Sequence, residues 1–95
     1  MSVVVTQAAV QTDYRMLSDI ELAIKLNQDA RLALAHSAQE AVGNPDLLLQ
    51  YHQQDVQLEQ ELKRLEMEYS ALKEKLEGDE KMKKNAVERA FKLNI

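Results

Sequence analysis

Apolar residues recur at steps of three and four along most of this chain, which is the spacing of an α-helix with a buried face. Between residues 17 and 41 the first apolar stripe comprises Leu17, Ile20, Ile24, Leu34, Ala38 and Ala41. A second stripe lies beside it and comprises Leu22, Leu26, Ala30 and Ala33. Two stripes make a face too wide for one partner helix, so we expect this helix to contact more than one neighbour.

A heptad repeat predicts a second helix in the C-terminal half. Its alternating steps of four and three are unbroken from Leu58 to Leu76. The seam positions of this heptad are occupied by Tyr51, Leu58, Leu62, Leu65, Tyr69, Leu72 and Leu76. Asp55 also falls on a seam position, where a polar residue can fix the register or the number of partners. The alternative is that the seam begins at Leu58.

The charges beside this seam bear on the orientation of its partner. In a parallel pair, Glu68 would meet Lys73 of the other helix. In the same pair, Glu61 would meet Glu66, and the repulsion would offset that attraction. An antiparallel partner is therefore at least as well supported, and the first helix of the same chain is the nearest candidate.

Three consecutive residues predict a sharp break between the two helices. Gly43 is typical of the position just past a helix end. Asn44 can cap the next helix, and Pro45 suits its first position. The connection is short, which favours two helices lying side by side.

The first twelve residues carry no charge, unlike the rest of the chain. The valines of this arm are Val3, Val4, Val5 and Val10. The arm could extend the first helix, although consecutive valines are poor helix formers, or it could be disordered. We favour a third alternative, in which it becomes ordered against another subunit or partner. The first helix would then begin at Asp13 or at Ser18, which has capping-box spacing to Glu21.

Gly78 and Asp79 interrupt the second heptad, because a continued seam would bury Asp79 and Lys83. The residues that follow re-form an amphipathic face, and a bend in one helix fits them as well as a separate third helix does. The apolar contact residues expected on this segment are Met82, Val87 and Phe91.

The sequence thus predicts an all-α fold, an antiparallel helical hairpin or coiled coil with a short C-terminal helical segment. The predicted segments are an arm over 1–12, helix 1 over 13–42, a turn over 43–46, helix 2 over 46–77 and the C-terminal segment over 78–95. A single hairpin of this size has little core of its own. We therefore expect self-association into a helical bundle.

Composition supports this fold and excludes several classes of protein. Apolar residues make up 45% and charged residues 29% of the 95, with two Gly and one Pro, which is typical of long helices. Without cysteine there is no thiolate ligand or nucleophile. No apolar run has the length of a membrane span, and the arm lacks the basic start of a secretory signal. We expect a cytoplasmic protein, with non-classical export as the alternative.

Few residues suggest catalysis or ligand binding. His36 and His52 each lie about one helical turn from a carboxylate, but a metal site needs three or four ligands. Gly43 and Gly78 are too far apart to form a phosphate-binding loop. We therefore expect no enzyme activity, no cofactor or metal, and no small-molecule substrate.

A basic run, Lys81-Met82-Lys83-Lys84, stands near the C-terminus of an otherwise acidic chain with a net charge of −4. Such a patch could contact phosphates or an anionic surface. It has acidic neighbours and few aromatic residues for base stacking, so a solvated helix face is the simpler interpretation. Neither nucleic acid nor a membrane is expected as a partner.

Residues 44–51, Asn-Pro-Asp-Leu-Leu-Leu-Gln-Tyr, place a helix breaker before a helix rich in Leu and Gln. This stretch resembles the middle of the small needle or rod subunits of bacterial type III secretion. The resemblance implies a secretion-system component or its chaperone.

The sequence as a whole predicts a non-catalytic interaction or assembly protein, such as a coiled-coil adaptor, a scaffold or a small chaperone. It would act through its helical seams and its apolar arm, and its partner would be itself, as a dimer or larger, or another helical protein. The alternatives are a needle- or rod-like subunit, a phage assembly subunit or a chaperone of either. A binder of nucleic acid or anionic surfaces through Lys81–Lys84 is more remote.

Overall fold

The computed structural model describes residues 2–93, which form two helices. Helix α1 spans Val3–Glu40 and helix α2 spans Pro45–Leu93, with 38 and 49 residues. The two helices form a hairpin, and no strand occurs between residues 2 and 93. The predicted all-α helical hairpin is confirmed.

The turn between the helices uses the residues that the sequence indicates. Gly43 has a φ of 97°, a left-handed conformation that favours glycine. The Asn44 side chain caps α2, since its Oδ1 accepts a hydrogen bond from the Leu47 N–H at 3.2 Å. Pro45 is the first residue of α2. Helix α1 ends slightly earlier than predicted, at Glu40 rather than residue 42.

The expected start of the first helix is wrong, because α1 begins at Val3 and the arm is helical. Asp13 and Ser18 lie inside the helix. The cap is Ser2, whose Oγ accepts a hydrogen bond from the Val5 N–H at 3.2 Å. Val10 is buried further along the arm, and this packing compensates for the low helix propensity of valine.

The expected interruption after residue 77 does not occur, since α2 continues through Gly78 to Leu93. Asp79 is half-buried and Ala86 is buried, so the heptad spacing continues beyond Leu76. The cost of burying Asp79 is offset by an ion pair to Lys75 at 2.8 Å. Of the two alternatives for this region, the continuous helix is correct.

The chain divides into two compact units, and each helix contributes a segment to both. Unit 1 comprises Met1–Ile20 and Glu68–Ile95, and unit 2 comprises Glu21–Met67. Unit 1 has an apolar core, and the residues that form or cover this core are Val10, Leu17, Leu72 and Leu76 with Ile20 and Tyr69. In unit 2 the buried apolar residues are Leu65 and Ala41.

The helices are antiparallel within each unit. In unit 2, Asn27 contacts Leu58, and Arg31, one turn later on α1, contacts Asp55, one turn earlier on α2. In unit 1 the buried Leu17 and Val10 pack with Leu72 and Leu76 of α2. The seam in each unit therefore joins two segments of the same chain.

Candidate functional site

The second stripe of α1 lies on the outside of unit 2. Leu22 and Leu26 are 58% and 59% exposed, and Ala30 and Ala33 are exposed as well. The first stripe is buried or half-buried at every position, from Leu17 to Ala41. The two stripes of the sequence thus have different environments, one inside the hairpin and one open to solvent.

The seam residues predicted to contact a partner are instead buried or half-buried in their own chain. Leu17, Leu65, Leu72 and Leu76 are buried. The half-buried members are Ile20, Ile24, Leu34, Tyr51, Leu58, Leu62 and Tyr69. These residues therefore pack between the two helices of the hairpin.

The predicted contacts of the arm and of the C-terminal segment fall partly on such faces of unit 1. Val4 and Val5 are exposed at 78% and 53%, whereas Val3 is half-buried and Val10 belongs to the core. The three C-terminal contact residues are exposed, namely Met82, Val87 and Phe91. Phe91 is the most exposed of these at 68%. Ala86, which precedes Val87 in the helix, is buried.

An ion pair occupies the seam of unit 2. Arg31 donates to Asp55 through two nitrogens, at 2.8 Å from Nε and 3.2 Å from Nη2. Such two-point pairing fixes the orientation of both side chains. The hydrogen bond from Arg31 lowers the pKa of the Asp55 carboxyl, and the same bond raises the pKa of Arg31. Asp55 therefore belongs to the seam, and the alternative start at Leu58 is wrong.

One turn of α1 before this pair, a buried amide crosses the seam of unit 2. Asn27 is 5% exposed, and its Nδ2 donates to the backbone carbonyl of Leu58 at 2.8 Å. Its Oδ1 is buried without a hydrogen-bond partner among residues 2–93. A buried asparagine at a seam position lowers stability but penalises other registers, in which its amide would lose this acceptor.

A charged cluster occupies the seam of unit 1. Asp13 is fully buried, and its Oδ1 accepts a hydrogen bond from Lys75 Nζ at 2.8 Å. The same ammonium reaches Asp79 Oδ2 at 2.8 Å. Hydrogen bonding to Asp13 and then to Asp79 raises the pKa of Lys75. Hydrogen bonding within this cluster, first to Asp13 and then to Lys75, lowers the pKa of Asp79.

A second polar contact of unit 1 lies at its surface. The Tyr14 hydroxyl donates to Glu80 Oε1. This hydrogen bond and the nearby negative charge raise the pKa of the Tyr14 phenol. The contact links an exposed position of α1 to an exposed position of α2 and adds to the alignment of the two segments.

An open groove of about 430 Å³ lies near the turn in unit 2. Its polar rim includes Arg31, Asp55 and His52, while Leu34 and Leu48 form part of its apolar wall. His52 and His36 are both exposed. Within residues 2–93 no three His, Cys, Asp or Glu side chains stand close enough to hold a metal ion.

The sequence interpretation missed the polar members of the seam on α1, which are Thr6, Asp13, Asn27 and Arg31. A signal was present, because these residues continue the steps of three and four that connect Val10, Leu17 and Ile24. On α1 the sequence pattern was interpreted from its apolar residues alone, so the heptad of this helix was recognised in fragments. A polar residue in phase with an apolar repeat is a candidate seam residue.

No protein-family model, curated protein or solved structure matches the chain. The resemblance of residues 44–51 to needle and rod subunits therefore stays a prediction. Within residues 2–93, neither helix has a stretch long and apolar enough to cross a membrane.

Proposed function

We propose that this chain is a non-catalytic interaction or assembly protein that binds other helical proteins, including copies of itself, through exposed faces of its helices. The observation that carries the proposal is the second stripe, in which Leu22 and Leu26 remain more than half exposed although the first stripe of the same helix is covered. Burying such apolar side chains against a partner removes them from water, which favours association.

The polar seam supports the proposal by fixing which face of α1 remains outside. Rotating α1 to bury the second stripe would separate Arg31 from Asp55 and Asn27 from the Leu58 carbonyl. Each separation would leave a partly buried polar group without its partner, which is costly. The hairpin therefore keeps the second stripe available for another molecule.

A matched pair of variants tests the proposal. The first replaces one exposed apolar residue in each region with a charge, as Val4→Lys, Leu26→Glu and Phe91→Glu. The control makes the same charge changes at exposed glutamines, as Gln7→Lys, Gln28→Glu and Gln57→Glu. Circular dichroism would establish that both remain helical.

Association is then measured in two ways, as mass against concentration by light scattering and as retention of purified candidate helical proteins on the immobilised chain. The first variant is expected to lose association that the control retains. Equal behaviour of wild type, variant and control in both measurements would contradict the proposal.

A further inference from the structure

We infer that the partner of the second stripe is a second copy of this chain, docked with its own second stripe so that the two α1 helices are antiparallel. This inference rests on the proposed function and names the partner for one of its surfaces. It concerns unit 2 alone, since all four residues of the stripe belong to that unit.

The distribution of side-chain size along the stripe favours this pairing. The two large residues, Leu22 and Leu26, stand at one end, and the two small residues, Ala30 and Ala33, stand at the other. In an antiparallel pair, the leucines of each copy would face the alanines of its partner. Large side chains opposite small ones let two helices approach closely and fill the space between them.

The charges along one edge of the stripe require the same register. Lys25 and Asp29 are four residues apart and therefore lie along one edge of α1. Both are exposed, and neither forms an ion pair with another residue between 2 and 93. Two antiparallel helices related by a twofold axis bring the same edge of each copy together. Lys25 of one copy then meets Asp29 of the other, twice.

Size and charge agree on the position of the twofold axis. In an antiparallel pair, the axis passes halfway along the sequence between two residues that face each other. This midpoint lies between residues 27 and 28 for Leu22 with Ala33, at 28 for Leu26 with Ala30, and at 27 for Lys25 with Asp29. These midpoints fall within one residue, or about 1.5 Å along the helix. One axis therefore satisfies all three pairs.

A parallel pair of the same stripes satisfies neither condition. It would place leucine against leucine at one end and alanine against alanine at the other, so that the alanine end would pack with voids. The edge that carries Lys25 and Asp29 would face the opposite edge of the partner, so these two charges would not meet. The antiparallel dimer is the arrangement that the residues of this face support.

The first test compares two leucines of similar exposure in unit 2. Leu26 belongs to the stripe and is 59% exposed, whereas Leu49 lies on α2 and is 55% exposed. Leu26→Glu is expected to raise the dimer dissociation constant by about tenfold or more, because a carboxylate would be buried against an apolar helix. Leu49→Glu is expected to change it less than about twofold. Sedimentation equilibrium of the full chain measures both.

The second test is a charge swap that reports which residues face each other in the dimer. Lys25→Asp and Asp29→Lys are each expected to raise the dissociation constant by about threefold, since each puts like charges opposite one another across the interface. The double variant reverses both charges and should return it to within about twofold of wild type. Circular dichroism of the monomer would correct for charge effects within the helix.

The outcomes separate this inference from the proposed function. If Leu26→Glu and Leu49→Glu weaken the dimer equally, or if the charge swap fails to restore it, the inferred docking is wrong while another face can still mediate assembly. A wild-type chain that stays monomeric at millimolar concentration also overturns the inference. The proposed function would then depend on the retention of other helical proteins in the matched-variant experiment.

Discussion

The two units are built from segments of the same two helices, yet their seams differ. Unit 1 buries a cluster of four apolar side chains around Leu17 and Leu72. Unit 2 places Asn27, Arg31 and Asp55 at neighbouring seam positions, and its buried apolar residues are Leu65 and Ala41. Unit 1 also buries Thr6 and Asp13, so polar seam residues occur in both units, and the difference is the apolar cluster that unit 1 adds. Apolar burial contributes mainly stability, whereas paired polar groups mainly specify which residues face each other.

The ion pairs of the two units also place their positive charges on different helices. In unit 1, α1 provides the anion, Asp13, and α2 provides the cation, Lys75. In unit 2, α1 provides the cation, Arg31, and α2 provides the anion, Asp55. If the register of α1 slipped, each charge would lose its partner and a carboxylate or guanidinium would stay unpaired in the seam. The alternation therefore disfavours other alignments.

The unit with the weaker apolar seam is also the one that carries the second stripe. Leu22 and Leu26 are large apolar residues that unit 2 leaves in solvent. Unit 1 also leaves large apolar residues in solvent, including Val4 and Phe91 at 78% and 68%. Exposed apolar surface therefore occurs on both units, and the proposed function assigns it to contacts with other helices.

The largest expected effect is a leucine truncation in the core of unit 1. Leu72 is 8% exposed, and Leu72→Ala should lower the free energy of unfolding by about 2 to 5 kcal/mol. In the polar part of the unit 2 seam, Leu58→Ala should cost only about 1 to 2 kcal/mol, because Leu58 is half-buried and loses less transfer free energy. Urea unfolding followed by circular dichroism measures both at one protein concentration. Equal losses would show that the seams contribute alike.

Alanine substitutions at the two glycines are expected to change stability by intermediate amounts, with opposite signs. Gly43 has a positive φ in the turn of unit 2, so Gly43→Ala should destabilise by about 1 to 2 kcal/mol. Gly78 lies within α2 in unit 1, and a Cβ there would meet nothing within 4 Å. Gly78→Ala should therefore stabilise by about 1 kcal/mol. A stabilising Gly43→Ala would contradict the assigned turn, and a destabilising Gly78→Ala would contradict the continuous helix.

Local chemistry made several of these features predictable from the sequence. Gly43, Asn44 and Pro45 specify the turn through their own backbone preferences, whatever surrounds them. The heptad from Leu58 to Leu76 was predictable for a similar reason, since the periodicity of one helix determines which face it buries.

The partners of the polar seam residues could not be predicted in the same way. Lys75 is 62 positions from Asp13, and Asp55 is 24 positions from Arg31. Whether a seam aspartate is tolerated depends on whether a cation faces it, and that depends on the alignment of two helices. The expected break at Gly78 failed for this reason, because the cost of burying Asp79 was counted without Lys75.

The smallest expected effect, and the most specific, is a difference in pH dependence between the two ion pairs. Asp55 and Asp79 have pKa values below the ordinary 3.8, so the stability that each contributes is present above pH 3.8 and is lost as the pH falls through the folded value. Lys75 has its pKa raised above 10.5, so its contribution is present below pH 10.5 and is lost as the pH rises through the folded value. Arg31 stays charged at both extremes.

Thermal unfolding of wild type, Lys75→Met and Arg31→Met tests this contrast, with each variant compared with wild type below pH 3.8, at pH 7 and above pH 10.5. Lys75→Met should be less stable than wild type at pH 7, and the difference should shrink in alkali as wild type loses the Lys75 charge. The difference caused by Arg31→Met should persist in alkali and shrink only in acid, when Asp55 is protonated. Both effects are modest because solvent screens these groups. If the stability difference caused by Arg31→Met shrinks in alkali as much as the difference caused by Lys75→Met, the two ion pairs do not contribute separately to the stability of their units.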